Sequence, residues 1–580
     1  MIHRDSRTGV IIQHWRAQDG LSRWVVALSL LLIVFAFVPT LRSDFVAPDQ
    51  WRAFRYSILP QTAYERAKAC ANTIPPYYSR TGRPLVWLSE CAEHAAVARI
   101  SDFVYLRPLV LAIVLFTALY LGTVLAPLAG GFPMGVIAAS AFVMAPGYSF
   151  MYLQGMTGAM VLIAILLAAA SFALLRHRLT RTAEVRIPDP AGLLAPFGLF
   201  FVACLIYPAW AFLVVGLTLI ALAVDIRASR TAMLKRFCAC LLFYCVAAVF
   251  YYAFERVIEA IQQAMTGFEL EEPGYSMTMQ LSPGILIERT LEAARRFYEM
   301  PPLNFAAPRG CLLAALGLFS GYIGWQDWRT RNRSLSAGVA AAAFFLGCIA
   351  LLGSVSPWLF SRMDQLATRH LAPWYLFFCV CAVGLIQITA KALPARLQKL
   401  SIALALIVFL APVAVMQYRL SSLETAVSGL EIESLRTNLA QWLDRRGYEN
   451  QRYLLAVRPP VLRPAIAQSV GAEAGDNAIL SSAANWVQIS WMVNALLRER
   501  SDHPMGRSVN LLDCVLDQGC VEQTLREPHA VALAVAYGAV IRTSEPPYLI
   551  NFSLLTAQPA VPRIELVNRP ANQSDSAHPK

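Results

Sequence analysis

The sequence predicts a polytopic α-helical membrane protein of about eleven spans, followed by a C-terminal extracytoplasmic domain of α/β or α+β type. Three observations lead there. Apolar residues make up 57% of the 580-residue chain and charged residues only 15%, against about 25% charged in ordinary soluble chains. The apolar excess is gathered into blocks of about 17–22 residues, the length that crosses a hydrocarbon layer. Beyond residue 417 the blocks stop, and charges, prolines and short apolar runs mix as in a soluble domain. The expected organisation is a cytoplasmic N-terminus at 1–23, a membrane body at 24–417 and a C-terminal domain at 418–580.

Taking the elements in order, the first span, 24–41, comes after Arg4, Arg7, Arg16 and Arg23. That flank suits a signal sequence, but no small-x-small cleavage site is present after it, so an uncleaved span is expected. Further spans are expected at 106–126, 133–149, 156–175, 192–206, 208–224, 237–254, 306–325, 336–353, 371–390 and 400–417. The two at 192–206 and 208–224 are short and meet at Tyr207-Pro208, where proline cannot continue the helical ladder. Broken helices at membrane depth need protein or water around them, which points to a cavity.

Lys and Arg in short loops set orientation. They concentrate at Arg176, Arg178, Arg181 and Arg186, at Arg227, Arg230, Lys235 and Arg236, at Arg329, Arg331 and Arg333, and at Lys391, Arg396 and Lys399. The alternate short loops carry only Arg362 and Arg369. The N-terminus is therefore expected inside and the C-terminus outside, with an odd number of spans. Three long segments then share the outer side: 42–105, 255–305 and 418–580. A channel or carrier needs little soluble mass on one face; an enzyme acting on an exported substrate needs it. The spans are expected to hold no buried acid or base chain, which proton-coupled carriers normally have. The net charge of +12 sits in short loops, without a basic stripe and interleaved aromatics, so the expected partner is the lipid bilayer and not nucleic acid.

Of the twelve cysteines, those within spans read as packing residues. Cys70 and Cys91, and Cys514 and Cys520, lie in outer segments. Each pair either forms a disulfide in an oxidising compartment or stays reduced.

The first outer segment places Asp44 and Asp49 directly after a span. Transfer to a hydroxyl needs a base, and a partly desolvated carboxylate serves. A phosphate leaving group needs a cation, and Arg holds one in bidentate fashion. Asp49 beside Arg52 and Arg55 has these ingredients; ordinary interfacial ion pairs are the alternative. In Gly82-Arg83-Pro84, Gly permits an unusual backbone angle and Pro stiffens the chain after it, which either fixes Arg83 toward the headgroups or makes a plain turn. Asp102 is expected to bridge Arg107 at the mouth of the second span, in a structural role ahead of a catalytic one. Glu90, Glu93 and His94 share a helix face by spacing. With no third ligand at known spacing, a solvated face is expected there and not a metal site.

In the second outer segment, Ser282 and Pro283 start a helix with Leu286, Thr290, Ala293 and Phe297 as its stripe. This helix is expected to lie in the interface, either covering a site or merely on the surface. Arg362, Arg369 and His370 are candidates for a donor phosphate, with snorkelling as the alternative for Arg369. The C-terminal part reads as helix 424–445, strand 453–457, helix 485–500, and short apolar runs at 529–537 and 548–552. It holds no triad, phosphate loop or metal pattern.

The order of these motifs resembles a known family. An acid after the first span, Gly82-Arg83-Pro84-Leu85, and Asp102 just before Arg107-Pro108-Leu109 are similar to the serotype-converting O-antigen glucosyltransferases of bacterial inner membranes. Ala145-Pro146-Gly147-Tyr148-Ser149-Phe150 and Leu205-Ile206-Tyr207-Pro208-Ala209 continue the likeness, which covers about the first 250 residues. The resemblance implies a GT-C fold and transfer of a sugar, glucose in that family, from a polyprenyl-phosphate donor to a surface polysaccharide or other glycan acceptor on the outer face. It implies Asp49 as the base, with Asp44 as its substitute. Arg52, Arg83, Asp102, Arg362, Arg369 and His370 become candidate substrate-binding residues. The family tends to show two adjacent acids, and this chain has Asp49-Gln50. That departure weakens a metal held by both positions and leaves a single-carboxylate base intact. No cofactor is assigned, and a divalent metal stays open. The alternatives are a polysaccharide polymerase or ligase and a non-catalytic lipid-linked sugar flippase.

Overall fold

The computed structural model describes residues 19–41, 46, 50, 53–54, 62–73, 83–145, 155–180, 190–266, 282–299, 310–330, 336–359, 371–391, 394 and 403–446. In the C-terminal part it describes 453–457, 492, 495–496, 510–511, 541–543, 549–551 and 564–566. The chain forms two compact units. One comprises Met1–Leu41, Ala67–Glu93 and Tyr105–Ser421; the other comprises Arg42–Arg66, His94–Val104 and Ser422–Lys580.

The helices are α1 (Gly20–Phe37), α2 (Ala63–Thr73), α3 (Val86–Ala96), α4 (Phe103–Ala129), α5 (Phe132–Val143), α6 (Met156–Thr180), α7 (Pro190–Ile206), α8 (Pro208–Ala211) and α9 (Leu213–Ala228). They continue as α10 (Arg230–Thr266), α11 (Pro283–Glu299), α12 (Cys311–Thr330), α13 (Ser336–Ser354), α14 (Ser356–Leu359), α15 (Ala372–Lys391) and α16 (Ala411–Arg446). A π-helical turn, Ala405–Leu410, leads into α16.

Among the described residues, eight helices are long and apolar enough to cross a membrane, and two shorter apolar helices accompany them. The protein is thus a polytopic helical membrane protein. Several expected boundaries shift. The helix at 133–149 stops at Val143, and its 12 residues reach only about 18 Å. The break at Tyr207-Pro208 is present, between α7 and α8. Helix α10 runs on to Thr266, past the helix end expected at 254. Helix α16 runs unbroken through the boundary expected at 417.

In the first unit, the apolar stretch over α8 and α9, Pro208–Arg227, is 94% buried, whereas that of α13 is 22% buried. Helix α9 therefore lies at the centre of the bundle and α13 at its rim. Trp24, Leu31, Leu242, Val249, Phe345 and Ile349 point outward and exposed. Side chains of this kind on a soluble surface would drive aggregation; in a bilayer they meet acyl chains. Small residues set the close crossings, as they do where lipid supplies no hydrophobic drive between helices. A Cβ on Gly135 of α5 would collide with the Gly122 carbonyl of α4, and Gly347 of α13 lies against Leu316 of α12. Val26, Ala126, Phe132 and Val136 pack α1 against α4 and α5.

The helices also bury acids just beyond the ends of the expected spans. Asp225, Asp327 and Glu255 are all buried within α9, α12 and α10. Asp225 pairs with Arg176 and Arg236, and Asp327 pairs with Arg230. These two acids thus neutralise loop-end arginines that composition alone assigns to solvent. Helices α6 and α9 end, and α10 begins, at this basic end of the unit.

Helix α11 has the expected stripe in part. Ala293 and Phe297 are buried and Leu286 is half-buried. Thr290 stays exposed, with its hydroxyl donating to the Leu286 carbonyl at 2.7 Å. Arg289 donates to the Trp358 carbonyl at 3.1 Å, capping α14, and Phe297 meets Trp374 edge to face. The other side of α11 exposes Ile287, Leu291 and Tyr298. A helix apolar on both sides fits immersion at a bilayer surface.

In the second unit, Val46 exchanges hydrogen bonds of 3.1 Å with the Ser428 hydroxyl of α16. Phe54 packs edge to face on Phe103, the first residue of α4. Arg66 donates to the carbonyls of His94 and Ala95 at 2.8 and 2.6 Å. The C-terminal part contributes β1 (Tyr453–Val457), β2 (Asn510–Leu511), β3 (Ile541–Thr543), β4 (Leu549–Asn551) and β5 (Ile564–Leu566). Strand β1 lies between β2 and β4, and β3 pairs with β5, every pair being parallel. Strand 453–457 stands where expected, and β4 falls within the run 548–552. Of the expected helix 485–500, Met492, Ala495 and Leu496 are described; they are helical and buried. The run 529–537 lies outside the described residues.

Candidate functional site

At the end of the first unit opposite its paired arginines, polar side chains gather between apolar helices. The local cause is the break at Pro208. Proline lacks an N–H, so the last carbonyls of α7 lose their helical partners. The Leu205 carbonyl accepts instead from the backbone N–H of Leu85 at 3.1 Å. This bond ties the turn before α3 to the end of α7. It brings Arg83 over the ring of Tyr207, 5.0 Å from the centroid. Tyr207 is extended at the break and buried. A guanidinium on an aromatic face is held in place by the negative face of the ring.

Helix α3 supplies the acids. A disulfide joins Cys70 of α2 to Cys91 of α3, which fixes one of the pairings left open by the sequence. Cys514 and Cys520 lie outside the described residues. The eight cysteines of the apolar helices are free thiols. Glu90, Glu93 and His94 do share one helix, but they are buried and not on a solvated face. Glu93 accepts from the backbone N–H of Met156 at 2.6 Å, at the N-terminus of α6, where the helix dipole favours an anion. Arg107 of α4 is likewise buried. Among the described residues, no three His, Cys, Asp or Glu lie close enough to hold a metal ion.

Helix α10 closes the group with Tyr251, Tyr252 and Glu255. Tyr251 is fully buried and lies within the electrostatic reach of both Glu255 and Arg83. The described ionisable groups on these elements are thus Arg83 with Glu90 and Glu93, and Glu255. Such a set can bind a phosphate through guanidinium and exchange a proton through a carboxylate held in apolar surroundings.

Of the residues singled out from the sequence, Arg83 belongs to this group. In the second unit, the Asp102 carboxylate accepts from the backbone N–H groups of Ala98 and Arg99, both at 2.8 Å. These local bonds secure the entry to α4. Asp44, Asp49, Arg52, Arg362, Arg369 and His370 lie outside the described residues. Gln50, beside Asp49, is buried. Sequence reasoning misses Glu255 because the expected span ends at residue 254. A signal was available: no Gly or Pro interrupts 230–266, and Gly267 comes directly after.

No known protein family matches the chain, and no curated protein is significantly similar to it.

Proposed function

We propose that this chain is a membrane glycosyltransferase that moves a sugar from a polyprenyl-phosphate donor to a glycan acceptor on the outer face of a bacterial inner membrane. The observation that carries the reading is Arg83, held over Tyr207 amid buried carboxylates, at the disulfide-bearing end of an apolar helix bundle. A disulfide belongs in an oxidising compartment and loop arginines belong on the cytoplasmic side, so the Arg83 end is the outer one and the N-terminus is inside.

In the proposed reaction an acceptor hydroxyl oxygen attacks the anomeric carbon. The bond from that carbon to the phosphate oxygen breaks, and the lipid phosphate leaves with the electron pair. Asp49 takes the hydroxyl proton, an assignment that comes from the resemblance of the first outer segment. Arg83 stabilises the charge growing on the phosphate, and Arg362, Arg369 and His370 assist it. A surface polysaccharide is the proposed acceptor and glucose the sugar by the same resemblance.

The test is transfer from a labelled polyprenyl-phosphate sugar in membranes, comparing wild type with Asp49→Asn, Asp44→Asn and Arg83→Ala at matched expression. Loss of transfer in Asp49→Asn and Arg83→Ala, with Asp44→Asn active, is the expected pattern. Wild-type membranes inert toward every such donor would sink the transferase proposal and turn attention to polymerisation of lipid-linked glycans, then to flipping.

A further inference from the structure

We infer that the basic end of the first unit carries a binding site for the phosphate of a phospholipid headgroup, built from Arg176, Asp225 and Arg236. The three residues come from α6, α9 and α10. Arg176 forks onto Asp225, Nη1 to Oδ2 and Nη2 to Oδ1, both at 3.2 Å. Arg236 donates from Nη1 to Asp225 Oδ1 at 3.0 Å. Among the described residues, one carboxylate therefore faces two guanidiniums, and the cluster keeps a charge of +1.

The neighbouring pair, Arg230 with Asp327, is one to one and neutral. The cluster is also well sheltered, with side-chain exposures of 16% for Arg176, 13% for Arg236 and 6% for Asp225. A sheltered, uncompensated guanidinium is costly unless an anion completes it. Arg236 has a donor to spare: its Nε is buried and has no hydrogen-bond partner among the described residues.

A small pocket opens between these side chains, lined also by Leu179, Thr218 and Phe237. Its volume, about 10 Å³, is that of one water-sized oxygen. One phosphate oxygen fits inside, and the rest of the group sits at the mouth. The Thr218 hydroxyl already donates to the Val214 carbonyl at 2.7 Å, so the guanidiniums are the donors. The mouth lies where the apolar spans α6 and α9 end, beside Leu179 and Phe237. That placement suits a headgroup whose acyl chains run along the bundle better than a soluble ion.

The test uses the full-length chain purified in detergent and exposed to mixed micelles of three parts phosphatidylcholine to one part phosphatidylglycerol. Retained lipid is counted by native mass spectrometry, with inorganic phosphate as a competitor. Wild type should retain phosphatidylglycerol over phosphatidylcholine. Arg236→Gln should lower that retention about tenfold, as loss of one charge-assisted contact does, and Arg236→Lys should restore much of it. Asp225→Asn raises the cluster to +2 and should increase retention. Displacement by inorganic phosphate at matched concentration would support the anion site and make free phosphate its ligand. Equal retention of both lipids by wild type, or wild-type retention by Arg236→Gln, would overturn the inference. So would a parallel fall of retention and thermal stability in Arg236→Gln and Asp225→Asn alike, the behaviour of a purely structural ion triad.

Discussion

Replacing both Cys70 and Cys91 by serine should loosen the segment that carries α2 and α3. The bond spans a sequence separation of 21 residues. Closing a loop of that length removes about 11 cal/mol/K from the open ensemble, or about 3.3 kcal/mol at 25 °C, in the chain-entropy account. At 1.36 kcal/mol per factor of ten, local opening becomes about 270-fold more populated. The assay is limited proteolysis of intact right-side-out vesicles, monitoring cleavage between residues 63 and 96 with wild type and the double serine variant side by side. Cleavage in the variant should be faster by up to that factor. Because α3 carries Glu90 and Glu93 and sits just after Arg83, transfer activity should fall with it. Equal cleavage rates would show that packing alone holds α3. Cleavage that appears only after the vesicles are broken would place this segment inside and overturn the orientation together with the outer-face reading.

Single contacts give the other expected outcomes. Glu65 accepts from the Thr62 backbone N–H and hydroxyl at 2.8 and 2.9 Å, a capping box that holds its carboxyl below the ordinary glutamate range, the backbone bond contributing most. A depressed folded value means this contribution is present at neutral pH and lost as pH falls through it. Amide protection factors in the first turn of α2, corrected for the intrinsic exchange rate at each pH, should therefore fall on acidification, and Glu65→Ala should remove that pH dependence. Gly135→Ala forces a Cβ onto the Gly122 carbonyl, a backbone atom that cannot step aside; it should cost about 1–3 kcal/mol and lower the melting temperature in detergent. Gly384→Ala, with nothing within 4 Å, should be neutral or slightly stabilising. Arg83→Lys keeps the charge but loses the planar stack on Tyr207, so transfer should drop about tenfold while Tyr207→Phe, which keeps the aromatic face, stays near wild type.

The membrane character, the helix positions and the break at Tyr207-Pro208 were legible in the sequence because each depends on a local property. Apolar length decides whether a segment can cross, and a missing N–H decides where a ladder stops. The strand at 453–457 was legible for the same reason. Gly82 and Pro84 single out Arg83 in the sequence, and the structure sets its guanidinium over the Tyr207 ring. The ends of elements were less so. Helix α5 stops at Val143 and α10 continues to Thr266, because helix ends depend on what packs there as well as on hydropathy.

The sequence by itself determined a polytopic helical chain with arginines gathered in alternate loops and a polar break in mid-bundle. Only the tertiary structure decided which polar side chains are buried together. The i, i+3, i+4 spacing puts Glu90, Glu93 and His94 on one helix face, but whether that face meets water or protein depends on partners far along the chain. Glu93 meets Met156, 63 residues away, and Arg176 meets Asp225, 49 residues away. The disulfide choice and the burial of Glu255 belong to the same class. Hydropathy is a property of a segment; burial is a property of contacts between segments, and the chain fixes those contacts only by folding.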